Sequence, residues 1–326
     1  MDKVRLGILG PGRIVQNVMR DLPMAEHIVI QAVASRSLER AREAAKRYGA
    51  PLAFGSYEEL AESRDVDLVY VATPHNFHAE QAILMMEHGK HVICEKPMTP
   101  GEKDTRRMIG CAKKNGVFLM EAMWPRFFPA TVKLRQLLAE GVIGPIRHVT
   151  ADFCYPGAYD PESRVFAPEL AGGALLDLGV YPLMAATMLL GWQPEKYTAE
   201  CVKAATGVDM RTAMELRYKG GTIAQLFCGM DAFSTCTLRL FGPKGSIEVP
   251  RFYWPVSFTV HTENGDTPYR FVDENKGYRH EFDHAAQCIL TGKTESPLMT
   301  LEESLAVSHI CTEMRKMMGV LYPWEE

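Results

Sequence analysis

The sequence has no C-x-x-C pair, and its eight cysteines, at 94, 111, 154, 201, 228, 236, 288 and 311, are scattered. That spacing argues against a disulfide framework or a zinc knuckle and suits reduced core thiols. No apolar run reaches the about 18 residues that a membrane span requires, so no membrane partner is expected. An excess of charge of one sign is missing too: 36 Lys+Arg against 40 Asp+Glu give a net charge of -4. Without a basic stripe or polybasic patch there is no footprint for nucleic acid or an anionic membrane surface. The opening MDKVRLGILG lacks a charged n-region followed by a cleavable apolar segment, so the expectation is an unprocessed cytoplasmic protein. Internal repeats, low-complexity stretches and long flexible linkers are absent as well.

What is present is a chain of 326 residues, 47% of them hydrophobic. That length supports a large core and two domains. The 18 methionines read as flexible core filler. Over the first 120 or so residues short apolar runs alternate with helical patterns. Strands are predicted at Val4–Leu9, Ile28–Ala34, Asp67–Ala72, His91–Cys94 and Val117–Met120, and helices at Ile14–Leu22, Leu38–Tyr48, Phe77–Glu87 and Glu102–Lys114. Fully apolar strands joined by helices predict a doubly wound parallel sheet, an α/β class domain over 1–122. After Trp124 the pattern changes. A helix at Ala130–Ala139, a strand near Ile146–Phe153 and a Gly-rich segment, 171-AGGALLDLGVYPL-183, precede alternating runs from about 197 to 272. These predict an open, mostly antiparallel sheet in a second domain over 123–326, closed by helices at Arg279–Leu290 and Leu301–Met318.

Gly10-Pro11-Gly12-Arg13-Ile14-Val15 lies between the first strand and the first helix. Glycines there permit a tight turn and let backbone N–H groups approach a pyrophosphate. Val15 replaces the third glycine of G-x-G-x-x-G, and a glycine turn without a nucleotide is the plain structural alternative. The second strand ends in 32-AVASRS-37. Ser35, Arg36 and Ser37 stand where a carboxylate would bind a ribose 2′-OH. A guanidinium and hydroxyls suit a 2′-phosphate instead, which favours NADP over NAD as cofactor; Arg36 lying over the adenine or in solvent is the alternative.

Glu95-Lys96-Pro97 directly follows the strand at His91–Cys94. In a doubly wound sheet ligands bind beyond the carboxyl ends of the strands, so Lys96 is expected in the cleft near a nicotinamide. Pro97 would fix the chain direction, with a cis bond as one way to do so. Asp177 and Tyr181 are four apart and share a face of a helix, with Gly179 and Pro182 marking a helix start or kink. Hydride transfer from an alcohol carbon needs a base for the hydroxyl proton. A tyrosine at its ordinary pKa of about 10 is a poor base at neutral pH, and a nearby ammonium favours its phenolate. Lys96 is therefore expected to tune Tyr181 and to hydrogen-bond the substrate oxygen. Taken singly, a surface lysine, a helix-capping aspartate and a half-buried tyrosine are the plainer readings.

These motifs in order, G-x-G, then T73-P-H-N-F-H78, then E95-K-P97, then G172-G-A-L-L-D-L-G-V-Y181, resemble the Gfo/Idh/MocA oxidoreductases. The resemblance implies an N-terminal Rossmann domain and a C-terminal α+β domain for substrate binding and oligomerisation. Tyr181, 120-MEAMWPRFFPA-130, the ASR after the second strand and 295-ESPLMTLEESL-305 look most like the dimeric dihydrodiol dehydrogenase/D-xylose 1-dehydrogenase branch. That branch implies an NADP-dependent enzyme acting on a carbohydrate or cyclic diol, using the lysine and the tyrosine. It implies cofactor contacts at Thr73, Pro74, Asn76, His78, Glu95, Glu121, Trp124 and Arg126, and places Arg164 and Asp177 toward substrate. A homodimer or homotetramer is expected. Two other readings stand beside it: a nicotinamide-dependent glycosidase on the same fold, and a zinc hydrolase through His280-Glu281-Phe282-Asp283-His284, which matches H-E-x-x-H, with Glu302 or Glu303 as third ligand.

Overall fold

A computed structural model describes residues 3–272 and 277–325. The chain divides into two compact units, one comprising residues up to Phe127 together with 273–305, the other Phe128–Val272 and Ala306–Glu326.

The strands of the first unit are β1 (Val4–Leu9), β2 (Ile28–Ala34), β3 (Leu52–Phe54), β4 (Leu68–Val71), β5 (His91–Glu95) and β6 (Leu119–Ala122). Among the described residues they form one parallel sheet in the order β3-β2-β1-β4-β5-β6. This is the doubly wound order the apolar strands predict. Its helices are α1 (Arg13–Val18), α2 (Leu38–Tyr48), α3 (Tyr57–Glu62), α4 (His78–Glu87), α5 (Glu102–Asn115) and, from the far end of the chain, the later helix at Arg279–Leu290. Ser37 starts α2 by accepting from the Arg40 N–H at 3.4 Å, and Gly49 ends it in the left-handed region, as helix-capping chemistry requires. The helix predicted to reach Leu22 stops at Val18, and a separate 3-10 turn follows at Leu22–Met24; Pro23 has no N–H to bond the Met19 carbonyl, and its ring would crowd that carbonyl in a continuing helix. Strand β3 and helix α3 escaped the sequence reading. Three half-buried residues carry too little pattern to register as a strand.

The second unit begins with α6 (Pro129–Ala139), followed by β7 (His148–Cys154), α7 (Val180–Leu190), β8 (Lys196–Lys203), β9 (Asp209–Arg217), β10 (Ile223–Gly229), β11 (Leu238–Gly242), β12 (Gly245–Val249), β13 (Ser257–Thr262) and β14 (Gly265–Arg270). Among the described residues these strands make an eight-stranded sheet in the order β14-β13-β12-β11-β7-β10-β9-β8. All neighbours are antiparallel except β7 and β10. Alternating burial along β9 and β10 leaves one face covered, and α7 packs on that face against β7 and β10. Strand β14 is almost wholly exposed, so no apolar alternation marks it in the sequence.

The helical stretch Pro168–Leu190 is long and apolar enough to cross a membrane by length and composition, although Asp177 interrupts its apolar run; 72% of its apolar window is buried inside the fold, which identifies it as a core element. By compactness the chain groups otherwise than by one cut at 122. Helix α8 (Arg279–Leu290) packs on β1 and β2 of the first unit, and the first residues of α9 (Leu301–Met317) belong there too. The sequence pattern reports helices but not which sheet they return to.

Candidate functional site

At the carboxyl end of β1 the chain turns through Gly10, whose φ is +86. A Cβ there would lie 2.6 Å from Thr73 Cγ2, so the turn demands glycine on both conformational and steric grounds. Gly12 is the N-cap of α1 and offers no side-chain cap, and no acidic residue stands in the first turn, which opens with Arg13 and Ile14. The carboxyl end of β2 presents buried Ser35 and exposed Arg36. Burial pushes the neighbouring Tyr57 phenol up, and the charges of Arg36 and Arg40 work against it. Arg40 stands in the first turn of α2, and the sequence pattern does not single it out. A glycine cradle that excludes a side chain and an exposed guanidinium beside Ser35 at the end of β2 fit a dinucleotide bearing a 2′-phosphate.

The Lys96 turn is held on several sides within the first unit. Its peptide bond to Pro97 is cis. Glu95 is buried, accepts from the Tyr70 hydroxyl, and takes the Lys96 N–H on its other oxygen at 3.1 Å. His78 is fully buried, with Nδ1 3.0 Å from Pro97 O and Nε2 2.8 Å from Thr73 O. It ties this turn to the loop after β4, where Thr73 also donates to Gln81 at 2.5 Å; Pro74 and half-buried Asn76 follow in that loop. Glu121 accepts from the Met98 N–H at 2.9 Å. Burial pushes the Glu121 carboxyl up, against opposing help from Ser304, Met98 and Arg126. The Arg126 guanidinium is itself buried and forks onto Glu303, both contacts 2.7 Å. Trp124 stacks on Tyr278 with centroids 4.4 Å apart. Several residues expected as cofactor contacts thus engage the protein around the turn. Lys96 is half-buried.

In the second unit the segment around Asp177 takes an unexpected form. Leu175–Gly179 is a π-helical turn that runs into α7. Pro182 lacks an N–H and its ring would crowd the carbonyl of residue 178, so a wider turn before it relieves the clash. Asp177 and Arg164 are brought together as an ion pair at 3.0 Å, with Asp177 mostly covered and Arg164 about half-exposed. Tyr181 is buried and meets Phe153 edge-to-face at 5.1 Å.

The H-E-x-x-H residues are engaged otherwise. His284 Nε2 lies 2.7 Å from Ser296 Oγ, Glu303 holds Arg126, and Glu281 is only 1% exposed. Burial, then the charge of Glu95, pushes the Glu281 carboxyl well up. Among the described residues no group of three His, Cys, Asp or Glu side chains is arranged to hold a metal ion, so the motif does not assemble a zinc centre here.

Residues 4–123 match the model of an oxidoreductase family with an NAD-binding Rossmann fold, and residues 131–248 match the GFO/IDH/MocA C-terminal domain. The chain is 37% identical over 334 residues to trans-1,2-dihydrobenzene-1,2-diol dehydrogenase of Mus musculus, covering 99% of each, and 38% identical to that of Xenopus laevis. Among solved structures it is similar to a 3-ketoreductase from Actinomadura kijaniata in complex with NADP and TDP-benzene, at 28% identity and TM-score 0.87, covering 97% of this chain and 98% of that one. It is likewise similar to an aldose-aldose oxidoreductase from Caulobacter crescentus complexed with glycerol, at 26% identity and TM-score 0.89, covering 97% of each. By these matches, and by the sheet order and glycine turn described above, the chain belongs to the Gfo/Idh/MocA oxidoreductase family.

Proposed function

We propose that the protein is an NADP-dependent dehydrogenase or reductase that transfers a hydride between the nicotinamide and a cyclic diol or a pyranose sugar. The observation that carries this reading is the end-to-end match to trans-dihydrodiol dehydrogenases. The neighbours that are a ketoreductase and an aldose-aldose oxidoreductase support it.

Gly10, Gly12, Arg13 and Ile14 would hold the pyrophosphate, and Ser35, Arg36 and Arg40 the 2′-phosphate. Residues 73–78 and Lys96-Pro97 would line the nicotinamide end, backed by Glu95, Glu121, Trp124 and Arg126. Bound there, the nicotinamide supplies the hydride acceptor or donor. Tyr181 takes the substrate hydroxyl proton in oxidation and returns it in reduction. The Lys96 ammonium favours the phenolate and donates a hydrogen bond to the substrate oxygen as charge develops on it. Asp177, oriented by Arg164, accepts from a second substrate hydroxyl.

The same reading takes the protein as a cytoplasmic homodimer or homotetramer, with residues 123–326 carrying substrate binding and contact between copies. Val202, Ile223 and Phe241 are partly exposed and fall on one face of the eight-stranded sheet by register, a face a second copy would cover. All eight cysteines are free thiols, which suits a reducing compartment. Sedimentation of the purified protein tests the assembly. The activity is tested by a screen of pyranoses and cyclic diols with NADP, following reduced-nicotinamide absorbance. Stoichiometric NADPH formation with a free sugar or diol is expected. Glycoside cleavage without net NADPH would favour the glycosidase reading instead.

A further inference from the structure

The loop bearing Arg164 and the helix bearing Asp177 and Tyr181 meet at Gly172-Gly173, and this turn is gripped from two sides. Gly172 N–H donates to Ala167 O at 3.0 Å and Gly173 N–H to Val165 O at 2.9 Å, while Asp177 N–H donates to Gly173 O at 3.1 Å. A Cβ on Gly173, whose φ is +124, would come within 2.2 Å of Asp209 Oδ1. Asp209 is fully buried on β9, and its Oδ2 accepts from Leu175 N–H and the Thr212 hydroxyl, both at 2.7 Å.

The other grip comes from the segment after α9. Tyr322 is fully buried, and its hydroxyl donates to Gly172 O at 2.8 Å. Its ring lies under the Arg315 guanidinium at 4.4 Å. Arg315 is also buried and forks onto Glu325 at 2.6 and 2.7 Å, and Glu325 in turn accepts from the Tyr322 N–H at 3.0 Å. A buried phenol and a buried guanidinium thus form one polar frame with the partly exposed Glu325 carboxylate. The Tyr322 hydroxyl is aimed at the Gly172 carbonyl, while the Gly173 carbonyl takes the Asp177 N–H.

We propose that Tyr322 and Asp209 are positioning residues for the reaction, fixing the Gly172-Gly173 turn so that Asp177 and Tyr181 on the helix and Arg164 on the loop keep one productive arrangement. Neither touches substrate or cofactor. They act through the backbone that carries the groups that do. This rests on the catalytic reading of Tyr181 and Asp177 given above. Misplacement of a reacting group by even an ångström slows chemistry while leaving remote binding intact.

The test is steady-state kinetics of Tyr322→Phe, Asp209→Asn and Asp209→Ala beside Tyr181→Phe, well below the unfolding temperature of each. Tyr322→Phe keeps the ring under Arg315 and deletes only the hydroxyl. Its kcat is expected to fall about tenfold or more, with KM for NADP unchanged. Asp209→Asn retains an acceptor for Leu175 N–H and should recover most of the turnover lost in Asp209→Ala. If Asp209→Ala does not fold, Tyr322→Phe decides alone. Parental kcat in Tyr322→Phe, with Tyr181→Phe inactive, overturns the positioning claim and leaves the catalytic reading standing. Full turnover in Tyr181→Phe defeats the catalytic reading, and the positioning claim falls with it.

Discussion

Arg126→Ala is expected to be among the most damaging single changes in the first unit. The guanidinium is 2% exposed and its partner Glu303 9%, so removing the arginine strands a carboxylate away from water. It also deletes the contact to Met299 Sδ at 2.7 Å and one of the charges that opposes burial at Glu121. Breaking a buried ion pair from one side costs about 3–5 kcal/mol. With a urea slope of about 3 kcal/mol/M, the midpoint should drop by roughly 1–1.7 M. The double variant Arg126→Met/Glu303→Leu leaves no charge behind and should recover most of that loss, because a well-packed apolar replacement of such a pair is about neutral. Equilibrium urea unfolding followed by fluorescence and far-UV circular dichroism makes the comparison. A single-variant loss under about 1 kcal/mol would refute the reasoning, since that is what an exposed pair contributes.

Two further outcomes follow from the site geometry. Arg36→Asp should raise KM for NADP by about 10- to 100-fold, the cost of one charged hydrogen bond to phosphate, and move preference toward NAD; an unchanged NADP/NAD ratio in kcat/KM would defeat the 2′-phosphate assignment. Glu281 has its folded pKa raised by burial and by Glu95, so above the ordinary carboxylate range of about 4.5 the unfolded state releases a proton that the folded state keeps, and stability falls as pH rises toward the folded value. Glu281→Gln removes that slope. The variant should gain stability relative to the parent between pH 5 and pH 8, and parallel urea midpoints at the two pH values would contradict the buried neutral acid.

The sequence revealed most where residues act on their immediate neighbours. β1, α2 and α8 appear at or near their true ends because apolar period and caps are local signals. Gly10 and the Ser35-Arg36 end of β2 were legible because each sits at a defined offset from a strand. Partnerships across long separations were not. Glu303 lies 177 positions from Arg126, and Tyr322 lies 150 from Gly172; no period or spacing links them. The π-turn at Asp177 left a partial signal in Pro182, which predicted a disturbance but not its form. The H-E-x-x-H pattern carries little by itself, because any helix places residues four apart on one side; burial of Glu281 and the Ser296 contact of His284 separate this helix from a ligand pair.

Single-turnover hydride transfer in Lys96→Ala, Tyr181→Phe and the double variant tests most directly whether ammonium and phenol work as one unit. Each single variant should lose about 10²–10⁴-fold in rate with NADP affinity retained, and the double should be little worse than the weaker single. Losses that multiply in the double variant, or a loss of NADP binding with the chemical step intact, would contradict the account.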